Sequence, residues 1–138
     1  MSWEARLADA KAQIAPVTML VGEWVGRGQA HGEPTEGRLR VRMILNDSMV
    51  EVWERVGDHE DLCIYRYDPD LQQIRVLHLM EGATAEHAVE LVGMGLVWVT
   101  PSEHPAVEWR MVGDRLECDV VWPGRKVAEV SMTYRREA

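Results

Sequence analysis

Two periodicities divide the chain. Between Trp3 and Ile14 the apolar residues Trp3, Leu7, Ala10 and Ile14 recur at helical spacing. Ser2 stands where an N-cap belongs, and Glu4 near the start with Lys11 near the end suits the helix dipole. Pro16 ends this helix or opens a second short turn through Val17 to Leu20. From Val21 onward the helical period gives way to short β-rich runs split by Gly, Pro, Asn and Asp. These predict strands over Val21–Ala30, Arg38–Leu45, Met49–Val56, Leu62–Tyr67, Gln73–Met80, Thr84–Val92, Leu96–Thr100, Ala106–Val112, Arg115–Trp122 and Lys126–Arg136. No interval holds a crossover helix, so neighbours should pair antiparallel as a meander, and closure into a barrel removes the edges of so wide a sheet. The expected fold is all-β, a ten-stranded closed barrel with a short N-terminal helix. It forms one domain over residues 1–138, with 1–20 helical and 21–136 in the barrel.

Turn chemistry predicts register. A two-residue Asn46-Asp47 turn sets Met43 against Val50, Val41 against Val52 and Leu39 against Glu54, with Arg42 meeting Glu51 and Arg40 meeting Trp53 on the other face. A Gly113-Asp114 turn sets Met111 against Leu116, Trp109 against Cys118 and Val107 against Val120. It also places Glu108 against Asp119, a like-charge pair. A three-residue loop Pro123 to Arg125 turns Ala128, Val130, Met132 and Tyr134 inward, opposite Val120, Cys118 and Leu116; a one-residue slip would bury Glu129, Ser131 and Thr133 instead. A four-residue turn from Asp68 to Leu71 puts Cys63, Tyr65, Ile74, Val76 and His78 on one face.

Composition adds less. The formal net charge of -8 opposes phosphate backbones and anionic membrane surfaces, so neither nucleic acid nor membrane is expected as a partner. There is no Phe, but there are six Trp, and eight Met supply adaptable apolar volume for a core or a cavity wall. Met1 to Ala12 lacks the apolar stretch of a secretory signal, and Cys63 and Cys118 form no Cys-x-x-Cys pair. Reduced thiols and a cytoplasmic location are expected.

The run Leu20-Val21-Gly22-Glu23-Trp24-Val25-Gly26-Arg27-Gly28 resembles the Gly-x-Trp start of the first strand in calycin barrels, the superfamily of lipocalins and fatty-acid-binding proteins. The resemblance implies a lipocalin-like barrel whose base is plugged by Trp24, with Arg136 (or Arg135) from the last strand packed across it. Trp-x-Gly-x-Gly after a short helix is also similar to nitrobindin-type haem barrels, and Tyr67-Asp68-Pro69 to related lipocalin-like bacterial proteins. The nitrobindin pattern holds haem iron with a histidine near the chain's end. Here the last histidine is His104, so that ligand is missing.

Candidate chemistry is sparse. No Gly-x-Ser-x-Gly elbow, His-Glu-x-x-His pair or nucleotide fingerprint is present, no metal site is indicated, and no enzyme signature survives. Arg38, Arg40 and Arg42 read as a solvated, Glu-paired strand face, and His87 as a solvent-facing residue. Glu54, Tyr65 and His78 fall on the inward face, where a polar group needs a partner. They either satisfy one another or orient a ligand's polar end inside a wall of Met43, Met111, Trp98 and Trp109. The expected function is intracellular binding of a small apolar or amphipathic molecule, with no cofactor. The alternatives are haem binding through His78 or His87, and a non-catalytic module that self-associates as a homodimer through outward residues such as Trp53.

Overall fold

A computed structural model describes residues 2–125 and 127–137. Helix α1 (Trp3–Ile14) opens with Ser2 Oγ accepting the Ala5 N–H at 3.1 Å. A 3₁₀ turn, Ala15–Leu20, carries Pro16 in its first positions and leads into the barrel. Ten strands follow: β1 (Gly22–Ala30), β2 (Glu33–Ile44), β3 (Met49–Val56), β4 (His59–Asp68), β5 (Gln73–Met80), β6 (Ala83–Val92), β7 (Gly95–Val99), β8 (Ala106–Val112), β9 (Arg115–Val121) and β10 (Val130–Arg136). Each pairs antiparallel with its successor, and β10 pairs with β1, closing the barrel. A closed barrel of this kind with an N-terminal helix fits a calycin-like fold. No helix among the described residues is long and apolar enough to cross a membrane.

The β2–β3 and β8–β9 hairpins have the expected registers. Asn46 and Asp47 adopt φ of 58° and 60°, the left-handed pair that matches strand twist, and Leu39 pairs Glu54 while Val41 pairs Val52. At the Gly113-Asp114 turn Glu108 does face Asp119, and Arg110 resolves the repulsion. Its guanidinium reaches Glu108 at 3.2 Å, Glu117 at 3.1 Å and Asp119 at 2.7 Å.

Two other loops depart from the expected turns: the β4–β5 loop keeps four residues but sits one position later, and the β9–β10 loop is longer. The β4–β5 loop is Pro69 to Gln72, so Tyr65 pairs Val76 and Cys63 pairs His78. Between β9 and β10, Val130 pairs Val120 and Met132 pairs Cys118, two residues on from the expected partners. The expected strand start at Lys126 lies outside the described residues. A shift of two preserves the face, because side chains alternate with period two, so Val130, Met132 and Tyr134 still point inward.

Several expectations are corrected. Strand β2 starts at Glu33 and β4 at His59, extending both toward one end of the barrel. Trp3, placed on the helix's buried stripe, is 71% exposed; α1 packs on β3 and β4 and buries only Ile14 fully. His87, expected outside, is buried, because it shares the parity of Val89 while Glu86 and Glu90 take the solvent face.

The closed end is built from the 3₁₀ turn and Trp24. Ile14, Val17 and Leu20 are fully buried beside Trp24, whose Nε1 donates to Leu20 O at 2.9 Å. Arg136 pairs with Trp24 across β1 and β10 and lies 4.2 Å above its ring, donating to Val21 O and Met19 O.

Candidate functional site

In a meander, successive turns alternate between the two barrel ends. The turns at 45–48, 69–72, 93–94 and 113–114 lie with Trp24 at the closed end. At the other end, residues flanking the turns at 31–32, 57–58 and 81–82 and the loops at 100–105 and 122–129 surround a cavity of about 530 Å³. Its apolar wall includes Val52, Trp98, Val107, Trp109 and Val130.

All five histidines of the chain line this cavity. His31, His59 and His104 are exposed at its rim; His78 is partly buried and His87 buried below them. The aromatic rings form a row. His78 meets the edge of Trp98 at 5.0 Å between centroids, His87 stacks on Trp98 at 5.8 Å, and His104 lies 5.7 Å from His87. Burial, then the neighbouring His104 and His78, lower the His87 pKa, which keeps its imidazole neutral at neutral pH.

Carboxylates supply the remaining polarity. Glu54 on β3 pairs directly with Asp61 on β4, and both side chains border the cavity. His78 Nε2 lies 2.7 Å from Asp61 Oδ2, with the imidazole donating. Tyr134 donates its hydroxyl to Glu54 Oε2 at 3.0 Å. That reach depends on two glycines. A Cβ at Gly26 would sit 2.5 Å from the Tyr134 ring and one at Gly37 2.6 Å from its hydroxyl, so larger residues would displace the donor. Burial and the opposing Asp61 charge raise the Glu54 carboxyl to about 8, against the hydrogen bond from Tyr134, which favours ionisation. Burial first, and then the Glu54 charge, hold the Tyr134 phenol well above its usual range, so it stays a donor.

Of the residues singled out from sequence, Glu54, His78, Trp98 and Trp109 line the cavity together. Tyr65 is fully buried and accepts the Trp98 Nε1 hydrogen bond at 3.0 Å, so it positions that wall without lining it. Met43 and Met111 are not on the wall; they pack against the core near the closed-end turns. Trp53 faces outward but is covered, donating to Glu60 at 2.9 Å beneath the Arg40 guanidinium. Arg42 pairs with Glu51 at 2.8 Å. Asp61 and Tyr134 are the site residues that sequence reasoning missed. Asp61 has the parity of Cys63 and Tyr65, and one more turn of alternation at the start of β4 would have found it.

No protein-family model matches the chain, and no curated protein matches it. The chemistry of the site must therefore be read from its residues. Cys63, His78 and Asp61 have the residue types of a nucleophilic triad, and Cys63 lies directly across from His78. The electrostatics run the wrong way for one. Burial, then the charges of Asp61 and Glu54, raise the Cys63 thiol well above its usual range, whereas a nucleophilic cysteine needs a lowered one. Among the described residues no three potential ligands come together to hold a metal ion.

Proposed function

We propose that this protein binds a small amphipathic molecule within its barrel, inside the cell and as a carrier or sensor. The observation that carries this reading is the cavity itself. At about 530 Å³ it has the size of small-molecule sites, and it combines an apolar, aromatic wall with a few grouped polar residues. A lipocalin-like relationship would place ligands in the same part of the fold, and the Gly-x-Trp start, the Trp24–Arg136 contact and the strand count support it.

Haem fits this lining poorly. A neutral His87 could supply an axial nitrogen, but among the described residues no Lys or Arg lines the cavity to meet two propionates, and five carboxylates do. A self-associating alternative would rest on Leu91, Val92, Met94 and Val112, exposed near the β6–β7 corner, rather than on Trp53.

The test uses neutral N-phenyl-1-naphthylamine, whose fluorescence rises in apolar sites. Saturable binding is expected, with quenching of the protein's tryptophan emission, and Val107→Trp, which puts an indole into the cavity, should abolish it. Absence of binding, or equal binding by the Val107→Trp variant, overturns the reading.

A further inference from the structure

The charge distribution around the cavity says more about the ligand than its shape does. The chain carries thirteen arginines, and none lines the cavity. Arginine instead gathers outside: Arg27, Arg38, Arg55, Arg115 and Arg135 surround an outward hollow over Gly26 and Gly37. Several outward acids have cation partners, as in Glu51 with Arg42 and Glu86 with Arg66 and Arg75. Inside, Glu54 and Asp61 face each other across β3 and β4; among the described residues the only cation-forming side chain at hydrogen-bond distance from either is His78, on Asp61, with His59 4.0 Å from Asp61. Two adjacent, partly buried carboxyls with one imidazole, on the far side of Asp61, leave a shortage of positive charge that a bound cation can fill.

The aromatic wall of the same cavity suits a cation as well. Trp109 is 4% exposed and its ring lines the cavity, yet its Nε1 is the one buried side-chain polar atom without a hydrogen-bond partner among the described residues. Its N–H is directed toward the Tyr65 hydroxyl, whose ionisation it favours, without reaching hydrogen-bond geometry. Trp98, held by Tyr65, adds a second indole to the same wall, and indole faces attract cations.

Building on the cavity-binding reading, we propose that the ligand is an organic cation: a protonated amine on an apolar or aromatic body, its nitrogen held by Glu54 and Asp61 and its body against Trp98 and Trp109. Anionic amphiphiles such as fatty acids are disfavoured by the same carboxylates.

Binding of a cation should also release a proton. The groups facing Glu54 are Asp61 and Cys63 from β4, Tyr134 from β10 and Cys118 from β9, with His78 from β5 and His59 from the start of β4 behind Asp61. Each facing group that ionises does so as an anion, and the Glu54 carboxyl, raised to about 8, is mostly protonated at neutral pH. An incoming ammonium displaces that proton, so its affinity should climb with pH toward about 8 and then level off.

The experiment compares 4-phenylbutylamine, 4-phenylbutan-1-ol and 4-phenylbutyrate by isothermal calorimetry on the full chain. The amine should bind at least about tenfold tighter than the alcohol at pH 8, and the carboxylate weakest. Its affinity should rise between pH 6 and 8, with proton release that scales with buffer ionisation enthalpy, and the alcohol should show neither effect. In Glu54→Gln the amine's advantage should shrink to within about threefold and the proton release should vanish. If the variant fails to fold, the buffer dependence of the wild type still decides. An amine that binds no better than the alcohol, including one that does not bind, or that binds without proton release, overturns the charge assignment. N-phenyl-1-naphthylamine reports separately on the cavity: if it binds, only the charge assignment has failed, and if it does not, the cavity reading has failed as well.

Discussion

At the closed end Trp24 is fully buried, its N–H donates to Leu20 O, and Arg136 covers its ring. At the cavity end Trp109 is almost as buried, yet its N–H has no partner among the described residues, and two carboxylates face each other nearby. The same residue type serves opposite purposes. A satisfied indole adds packing and a hydrogen bond, which stabilise the fold. An unsatisfied one forfeits about 1–3 kcal/mol of desolvation and leaves a donor for something else to use. One end is built for stability, and the other gives up stability at the place where we propose that a ligand binds.

Substitutions can break or sharpen that contrast. The largest effect is expected for Trp24→Ala, which leaves a void in a packed base with Leu20 O unpartnered; urea unfolding should show a loss of about 3–5 kcal/mol. Arg136→Ala removes the guanidinium from the Trp24 face and two hydrogen bonds to backbone carbonyls, and should cost about 1–3 kcal/mol while N-phenyl-1-naphthylamine binding is retained.

Glu54 tests the cavity end through pH. Its folded pKa of about 8 lies above the ordinary carboxyl value, so the folded state holds a proton that the unfolded state releases, and wild-type stability should fall as pH rises from about 5 to about 8. Glu54→Gln lacks this titration. Its stability relative to wild type should increase across that window by more than about 1.4 kcal/mol, the equivalent of one pKa unit, as read from denaturant midpoints. The smallest effect is expected for Trp109→Phe. Removing an unsatisfied N–H offsets the lost volume, so stability should stay within about 1 kcal/mol of wild type. A Trp109→Phe variant as damaged as Trp24→Phe would show that the two ends are not different in kind.

Much of the fold was legible in the chain because a strand's side chains alternate with period two. Val41, Val52 and Trp109 reveal their face within a few residues, and Asn46-Asp47 and Gly113-Asp114 set register locally. Errors of two residues, as at β4–β5 and β9–β10, left those faces intact. His87 was misassigned because a histidine among glutamates looks solvated unless Val89 is used as the guide to parity. The candidate site was legible only in fragments: Glu54, His78, Trp98 and Trp109 were on the inward face, but Met43 and Met111 share that face at other heights.

Alone, the sequence determined strand order, which strands pair and, His87 apart, which side chains point inward, since those follow from local alternation and turn geometry. Tertiary structure decided which end is packed and which is hollow. Height along the axis depends on how ten tilted strands stagger around a closed sheet, and only that stagger gathers His31, His59, His78, His87 and His104 around one cavity with Glu54 and Asp61.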